Sequence, residues 1–128
     1  MKFVHVATRT KDLDGAIKFY EQLGMHCERQ RELTEGKATL AFLEAEVGNF
    51  AIELVYNWGK DDPYPGGERF GHFAFEVEDI DAVLPSIERA GGRVARPPYL
   101  LEGRGPRICF IEDPDGNAVE LIQREVAS

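Results

Sequence analysis

The sequence predicts an α+β fold of two tandem βαβββ modules, whose curved mixed sheets surround a metal site. Two observations predict it. The chain aligns with itself at an offset of 67 residues, and both copies show the same order of strand-like and helix-like patterns. We assign the copies to about residues 1–60 and 68–126 of one domain, joined by the Gly/Pro/Asp-rich stretch Gly59–Gly67.

The repeat rests on matches of chemically distinctive residues. The clearest are His5 with His72, Gly24 with Gly91, and Glu53 with Glu120. In both copies the histidine therefore precedes the glutamate by 48 residues. A chance match at so many points with one offset is improbable, so we interpret the chain as two copies of one module.

Each module begins with a strand followed by a helix. The first strand is predicted over Lys2–Arg9, with apolar residues on both faces. Apolar residues at helical spacing over Leu13–Leu23 predict a helix that Asp12 caps and Gly24 ends. The second helix repeats this pattern but contains Pro85, which we expect to shift its start or to kink it.

Three strands follow each helix. They are predicted near residues 25–31, 37–44 and 49–56, and again near 92–96, 106–112 and 117–123. The segment Asp113–Asn117, with the sequence Asp-Pro-Asp-Gly-Asn, predicts a hairpin turn between the last two strands.

Four residues are candidate metal ligands: His5, Glu53, His72 and Glu120. An ionised carboxylate in an apolar strand is costly to bury unless it is paired, protonated or bound to a metal ion. This situation occurs at both equivalent positions, each with an equivalent histidine. Two imidazoles and two carboxylates suit Ni²⁺, Co²⁺, Fe²⁺, Mn²⁺ or Zn²⁺ better than Mg²⁺ or Ca²⁺. The alternative is that buried His–Glu pairs merely hold the sheets together.

One position breaks the symmetry of the repeat, because Arg9 in the first copy corresponds to Glu76 in the second. Arg9 is four residues from His5, roughly 13 Å along a strand, and Asn57 stands in the same relation to Glu53. If these strands are parallel neighbours, both side chains can hold the far end of an elongated anionic ligand. A surface salt bridge is the alternative for Arg9. Arg69 is a weaker candidate for the same role.

Composition limits the partners. A net charge of −8 argues against binding a nucleic-acid backbone. No stretch approaches the roughly 20 apolar residues of a membrane span, and no signal peptide is recognisable. Cys27 and Cys109 do not form a disulfide framework, so we expect a cytoplasmic protein.

Several motifs resemble the vicinal oxygen chelate superfamily and, within it, the glyoxalase I (lactoylglutathione lyase) family of the compact bacterial type. The resemblance covers essentially the whole chain. It is carried by His5 with Arg9 and by three segments: Ile52–Gly59, Phe70-Gly71-His72 and Glu112–Leu121. The first segment, with its Glu-Leu-Val-Tyr-Asn-Trp-Gly run, is the most particular to this family.

The resemblance implies a divalent metal, Ni²⁺ before Co²⁺ or Zn²⁺, glutathione as co-substrate, and a homodimer. Each metal site would take His5 and Glu53 from one subunit and His72 and Glu120 from the other. The reaction would convert the methylglyoxal–glutathione hemithioacetal to lactoylglutathione through an enediolate, with Glu120 as the base and Glu53 sharing that role. Arg9, Asn57, Arg69 and His72 would contact the substrate.

The segment Leu101–Arg107 departs from the family, because Glu102 stands where a cation is common. A different thiol or a different 2-oxoaldehyde therefore stays open, as does a mobile flap at residues 103–107. Two alternative functions also stay open. One is another metal-dependent enzyme of the superfamily, such as a dioxygenase, an epimerase or a thiol transferase. The other is a non-enzymatic small-molecule binding protein.

Overall fold

The computed structural model of the protein describes residues 4–46, 50–67 and 70–124. The chain divides into two compact units, Met1–Pro65 and Gly66–Ser128. Each unit holds one α-helix and one four-stranded mixed sheet, which confirms the predicted α+β class and the repeated βαβββ order.

The helices and strands follow the predicted order with small differences at their ends. In the first unit they are β1 (Val6–Arg9), α1 (Leu13–Glu21), β2 (Met25–Leu33), β3 (Ala38–Ala45) and β4 (Ala51–Asn57). In the second they are β5 (Phe73–Glu76), α2 (Ile80–Arg89), β6 (Arg93–Leu100), β7 (Arg107–Glu112) and β8 (Ala118–Gln123). A short 3₁₀ turn, Leu101–Gly103, separates β6 from β7.

Strand order is the same in both sheets. It is β1-β4-β3-β2 in the first and β5-β8-β7-β6 in the second. The first strand of each sheet runs parallel to the last, and all other pairs are antiparallel. Strands β1 and β4 are therefore parallel neighbours, which is the arrangement that lets Arg9 and Asn57 lie at the same end of the sheet.

Helix α1 begins where the capping pattern predicts. The Asp12 carboxylate accepts a hydrogen bond from the Gly15 N–H at 3.1 Å, which satisfies a donor in the first turn of α1. In the second unit the Ile80 N–H donates to Gln123 Oε1 at 2.8 Å. The expectation that Pro85 shifts the start of α2 is wrong, since the helix begins at Ile80 and runs through Pro85 to Arg89.

The two histidines lie just before the strands rather than within them. The prediction of a first strand over Lys2–Arg9 is too long, because β1 begins at Val6; residues 1–3 lie outside the described part of the chain. The reason is the length of β4. Val6 pairs with Ile52, and β4 itself begins one residue earlier, so a longer β1 would have almost no partner. His72 precedes β5 in the same way.

Alternation along the strands separates a core face from an open face. Ile52 and Leu54 of β4 are buried with Leu43 of β3 on the face that α1 covers. Glu53 points the other way, into the open face of the same sheet. In the second unit Val119 and Leu121 are buried and Glu120 lies between them. One helix therefore covers each sheet on one side and leaves the glutamate on the other.

The hairpin predicted at Asp113–Asn117 is confirmed. The Asp113 N–H donates to the Asn117 carbonyl oxygen at 2.9 Å, and Gly116 adopts the positive φ that this turn requires. The buried Asp113 carboxylate accepts hydrogen bonds from the backbone N–H groups of Asp115 and Asn117.

Candidate functional site

The first half of the candidate site is the pair His5 and Glu53. His5 Nε2 lies 2.6 Å from Glu53 Oε2, with the carboxylate side chain only 14% exposed and the imidazole 32% exposed. The parallel pairing of β1 with β4 produces this contact, since it sets Glu53 opposite Ala7, two residues beyond His5.

The second half is built in the same way from His72 and Glu120. His72 Nε2 lies 3.6 Å from Glu120 Oε1, and the side chains are 40% and 18% exposed. Glu120 stands opposite Ala74, again two residues beyond the histidine. The structure thus brings each predicted ligand together with the partner from its own copy of the repeat.

Each pair fits half of a divalent metal centre. Two ligand atoms about 2.1 Å from one ion, at a right angle, lie about 3 Å apart, and the two observed separations fall on either side of that value. One nitrogen and one carboxylate oxygen, both partly accessible, form a donor set of the kind that binds first-row transition metals.

The sequence analysis did not identify a phenylalanine beside each histidine. Phe42 stands opposite Glu53, and its ring centroid is 5.9 Å from that of His5. Phe110 stands opposite Glu120, with its centroid 5.5 Å from that of His72. Both contacts are edge-on and help to fix the plane of the imidazole. They escaped detection because these phenylalanines are 68 positions apart, one more than the offset of the ligands.

Arg9 lies at the far end of the open face from Glu53. It pairs with Val55 of β4, two residues before Asn57, so both side chains project from the same end of the sheet. Among the described residues Arg9 forms no ion pair, which disfavours the surface salt-bridge interpretation. The Asn57 amide donates to the Tyr64 hydroxyl at 2.8 Å, so Tyr64 is a further polar group that sequence reasoning missed.

The second unit has an ion pair at the end of the sheet that is equivalent to the end with Arg9 and Asn57. Glu76, the counterpart of Arg9, accepts a hydrogen bond from Arg124 Nε at 2.6 Å. Arg124 is the counterpart of Asn57 by the offset of 67 residues. The symmetry break seen in the sequence is thus a pair of substitutions that complement each other within the second unit.

A further group of potential metal ligands lies on the exposed edge of the first sheet. His26, Glu28 and Glu44 offer ligand atoms that all lie within 4.8 Å of one another. His26 is not among the four metal ligands predicted from the sequence. In the second unit the positions of His26 and Glu44 hold Arg93 and Glu112, whose ion pair measures 2.7 Å. The hydrogen bond and charge of Glu112 raise the pKa of Arg93.

Two residues singled out from the sequence, Arg69 and Glu102, add little to the description of the site. Arg69 lies outside the described residues. Glu102 is exposed in the 3₁₀ turn and adopts a positive φ of 55°. Both cysteines are free, as predicted, and burial raises the pKa of the Cys109 thiol.

A family model of the Glyoxalase/Bleomycin resistance protein/Dioxygenase superfamily matches residues 2–121. The chain belongs to this superfamily. The match covers both units of this glyoxalase-superfamily chain, including all four candidate ligands. Across residues 4–46, 50–67 and 70–124, no helix combines the length and apolar content needed to cross a membrane.

Curated relatives agree with this assignment. A probable lactoylglutathione lyase of Vibrio cholerae is 45% identical over 98% of this chain and 93% of its own length. Lactoylglutathione lyase of Arabidopsis thaliana is 43% identical over 96% of this chain, which spans only 44% of that longer protein. The crystal structure of glyoxalase I from Zea mays matches with a TM-score of 0.85 and 40% identity, over 98% of this chain and 46% of that one.

Proposed function

We propose that this protein is a lactoylglutathione lyase, which isomerises the hemithioacetal of methylglyoxal and glutathione to lactoylglutathione and so detoxifies methylglyoxal. The observation that carries the proposal is the duplicated His–Glu contact, one per unit, on the open face of each sheet. The names of the Vibrio and Arabidopsis relatives support the reaction and the thiol.

The reaction moves one hydrogen between neighbouring carbons. The carbon that bears sulfur loses its own proton and the proton of its hydroxyl group and becomes the thioester carbonyl, while the adjacent carbonyl carbon and its oxygen each gain a proton and become a secondary alcohol. No external oxidant or reductant is needed. A carboxylate beside the substrate carries the proton, and Glu120 takes this role, with Glu53 able to share it. Their limited exposure reduces the contact of both carboxylates with bulk water.

His5, Glu53, His72 and Glu120 are the residues that would hold a divalent metal ion, with Ni²⁺ favoured over Co²⁺ and Zn²⁺. When bound, such an ion supplies the positive charge that stabilises negative charge developing on the substrate oxygens. The edge-on contacts of Phe42 and Phe110 support this role by orienting the two imidazoles.

The substrate contacts in this proposal are Arg9, Asn57, Arg69 and His72. Arg9 supplies a cation, without an ion-pair partner among the described residues, for a carboxylate of glutathione. Asn57 lies at the same end of the sheet. The hydrogen bond to Tyr64 supports its role by holding the amide in place.

The active protein is proposed to be a cytoplasmic homodimer with metal sites shared between subunits. Each unit offers two ligands, so a site with four ligands needs one His5–Glu53 pair and one His72–Glu120 pair. In the shared arrangement His5 and Glu53 of one subunit meet His72 and Glu120 of its partner. Two-fold symmetry then makes two identical sites per dimer.

Metal reconstitution tests the activity. Apoprotein is loaded separately with Ni²⁺, Co²⁺ or Zn²⁺, and thioester formation from methylglyoxal and glutathione is followed. We expect turnover with at least one metal, highest with Ni²⁺. If metal binds with the expected stoichiometry but no metal supports thioester formation from glutathione or another thiol, the chain is a binding protein and the proposal fails.

Subunit mixing tests the shared site. One variant carries His5→Gln and Glu53→Gln, and the other carries His72→Gln and Glu120→Gln. Neither is expected to be active alone. After the two are unfolded and refolded together, a shared arrangement restores one complete site in each mixed dimer, so activity recovers to at most about one quarter of wild type. A site made within one chain predicts no recovery.

A further inference from the structure

A β-bulge in the first sheet turns an arginine toward the open face. Along β2, His26 and Cys27 pair with Glu44 and Leu43, but the next pair is Arg29 with Phe42, so Glu28 is an extra residue. Uninterrupted alternation would direct Arg29 to the face that α1 covers. The extra residue returns it to the face that carries Phe42 and Glu53.

The second sheet contains the same irregularity at the same place. Along β6, Val94 pairs with Ile111, and the next pair is Arg96 with Phe110, which leaves Ala95 as the extra residue. Arg29 and Arg96 are 67 positions apart, which is the offset of the metal ligands. In both units an arginine therefore stands beside a phenylalanine on the open face of the sheet. That phenylalanine is in turn the neighbour of the open-face glutamate.

Both guanidinium groups lie against aromatic rings. Arg29 Cζ is 4.0 Å from the centre of the Phe42 ring, and Arg96 Cζ is 3.6 Å from that of Tyr99. Neither arginine forms an ion pair with any described carboxylate, and both residues are exposed. A guanidinium stacked on a ring keeps its N–H donors free at the edge, where they can bind a carboxylate with two parallel hydrogen bonds.

We propose that Arg29 and Arg96 are specificity-determining residues that bind the carboxylates of the thiol part of the substrate. This inference rests on the proposed function, which supplies a thiol with two carboxylates. Arg29 is two strands from Glu53, about 10 Å between Cα atoms. That separation suits a charged group several bonds from the reacting carbon. In a chain of net charge −8, an anionic substrate also needs such local cations.

The test separates charge recognition from a general structural effect. Arg29→Gln and Arg96→Gln are assayed with the methylglyoxal adducts of glutathione and of glutathione diethyl ester, whose carboxylates are blocked. We expect each variant to raise KM for the glutathione adduct about five- to tenfold with little change in kcat, as loss of one charged hydrogen-bonded pair predicts. For the diester adduct, KM should stay at the wild-type value.

Arg89→Gln is the matched control, because it removes the same charge from α2 on the other side of the second sheet. It should leave both KM values unchanged. An equal rise of KM for both adducts, or a fall in kcat alone, overturns the inference in favour of a structural role for the arginines.

The affinity for S-methylglutathione, measured by calorimetry, tests the inference without requiring turnover and so separates it from the proposed function. Weaker binding by Arg29→Gln supports the carboxylate role even if the wild-type protein shows no turnover, in which case only the proposed function fails. Wild-type protein that does not bind S-methylglutathione, or a variant that binds it as tightly as wild type does, overturns the inference.

Discussion

The two units share one fold but treat the ends of their open faces differently. The first unit has Arg9 and Asn57 where the second has the ion pair of Glu76 with Arg124. At the opposite end, the first unit has His26 with Glu44 where Arg93 pairs with Glu112 in the second. In the second unit charges at both ends are thus neutralised by partners from the same unit.

The comparison of the two units separates the features that both copies keep from those that only one copy has. The His–Glu contact and the bulged arginine occur in each unit. The ends of the sheets diverge: among the described residues Arg9 has no ion-pair partner, whereas its counterpart Glu76 is paired with Arg124. We therefore propose that ligand recognition at that end belongs to the first unit, and that the ion pair of the second unit is structural.

The largest expected difference between the units concerns the proton-transfer base. Glu120→Gln should lower kcat by about a thousandfold, within the range for loss of a general base. Glu53→Gln should cost less if it only shares that role. Thioester formation at saturating substrate measures both.

Metal content must be measured beside these rates. Both variants should retain metal when loaded at high concentration, and His26→Gln should change neither metal content nor rate. Equal losses from Glu53→Gln and Glu120→Gln would mean that the two units contribute equally to proton transfer.

The next effect concerns the cores. Leu54 and Leu121 are equivalent residues, both fully buried. Truncation of either to alanine should reduce the free energy of unfolding by about 3 kcal/mol, because each leaves a cavity. Leu100→Ala, at a half-exposed site, is the control and should cost far less.

Urea denaturation with two spectroscopic probes shows how the units are coupled. We predict that the chain behaves as one domain, so that both core variants move a single transition equally. Two transitions, of which each variant moves one, would contradict the prediction of one domain.

A smaller effect is expected at the diverged end. Arg9→Gln should raise KM for the glutathione adduct about tenfold through loss of a charged contact. Arg124→Gln breaks an exposed ion pair and should change stability by less than about 1 kcal/mol, with KM unchanged. A rise of KM in the second variant but not in the first would reverse the assignment of this end to the first unit.

The smallest effect concerns pH and Cys109. Burial raises the pKa of this thiol, opposed by the charge of Arg107. A raised pKa in the folded state means that the stability contribution is complete below the unfolded value, about 8.5, and is lost as pH rises through the folded pKa. Cys109→Ala should therefore show a shallower loss of Tm above pH 8 than wild type does. Cys27→Ala serves as the control for removing a more exposed thiol, and a slope unchanged by Cys109→Ala would contradict the assignment.

Much of this architecture could be predicted because the repeat itself is informative. Equal spacing of His5–Glu53 and His72–Glu120 identified both pairs, and helical periodicity placed both helices. The bulges could not be predicted. Residues 25–33 are mostly polar, so no apolar alternation records where a residue is skipped. The sequence pattern therefore concealed the face on which Arg29 lies.

The partners of the histidines were missed for a related reason. A search at one fixed offset cannot find residues whose spacing changed, and Phe42 and Phe110 are shifted by one position relative to the ligands. Six residues separate the last paired residues of the first hairpin, Glu44 and Ala51, and five separate Glu112 and Ala118 in the second, which accounts for the shift. The prediction that Pro85 shifts the start of α2 was wrong for another reason. The effect of a proline on a helix depends on packing, which helix propensity does not describe.

The bulge also bears on the history of the chain. An extra residue reverses the facing of the residues next after it in a strand, so independent acquisition at equivalent places in both sheets would require two coordinated events. A single origin is simpler: the ancestral module already had the bulge, with its arginine on the same face as the glutamate, before the gene was duplicated and fused. The unequal hairpins and the divergent charges at the sheet ends then date from the period after fusion, when each half could change alone.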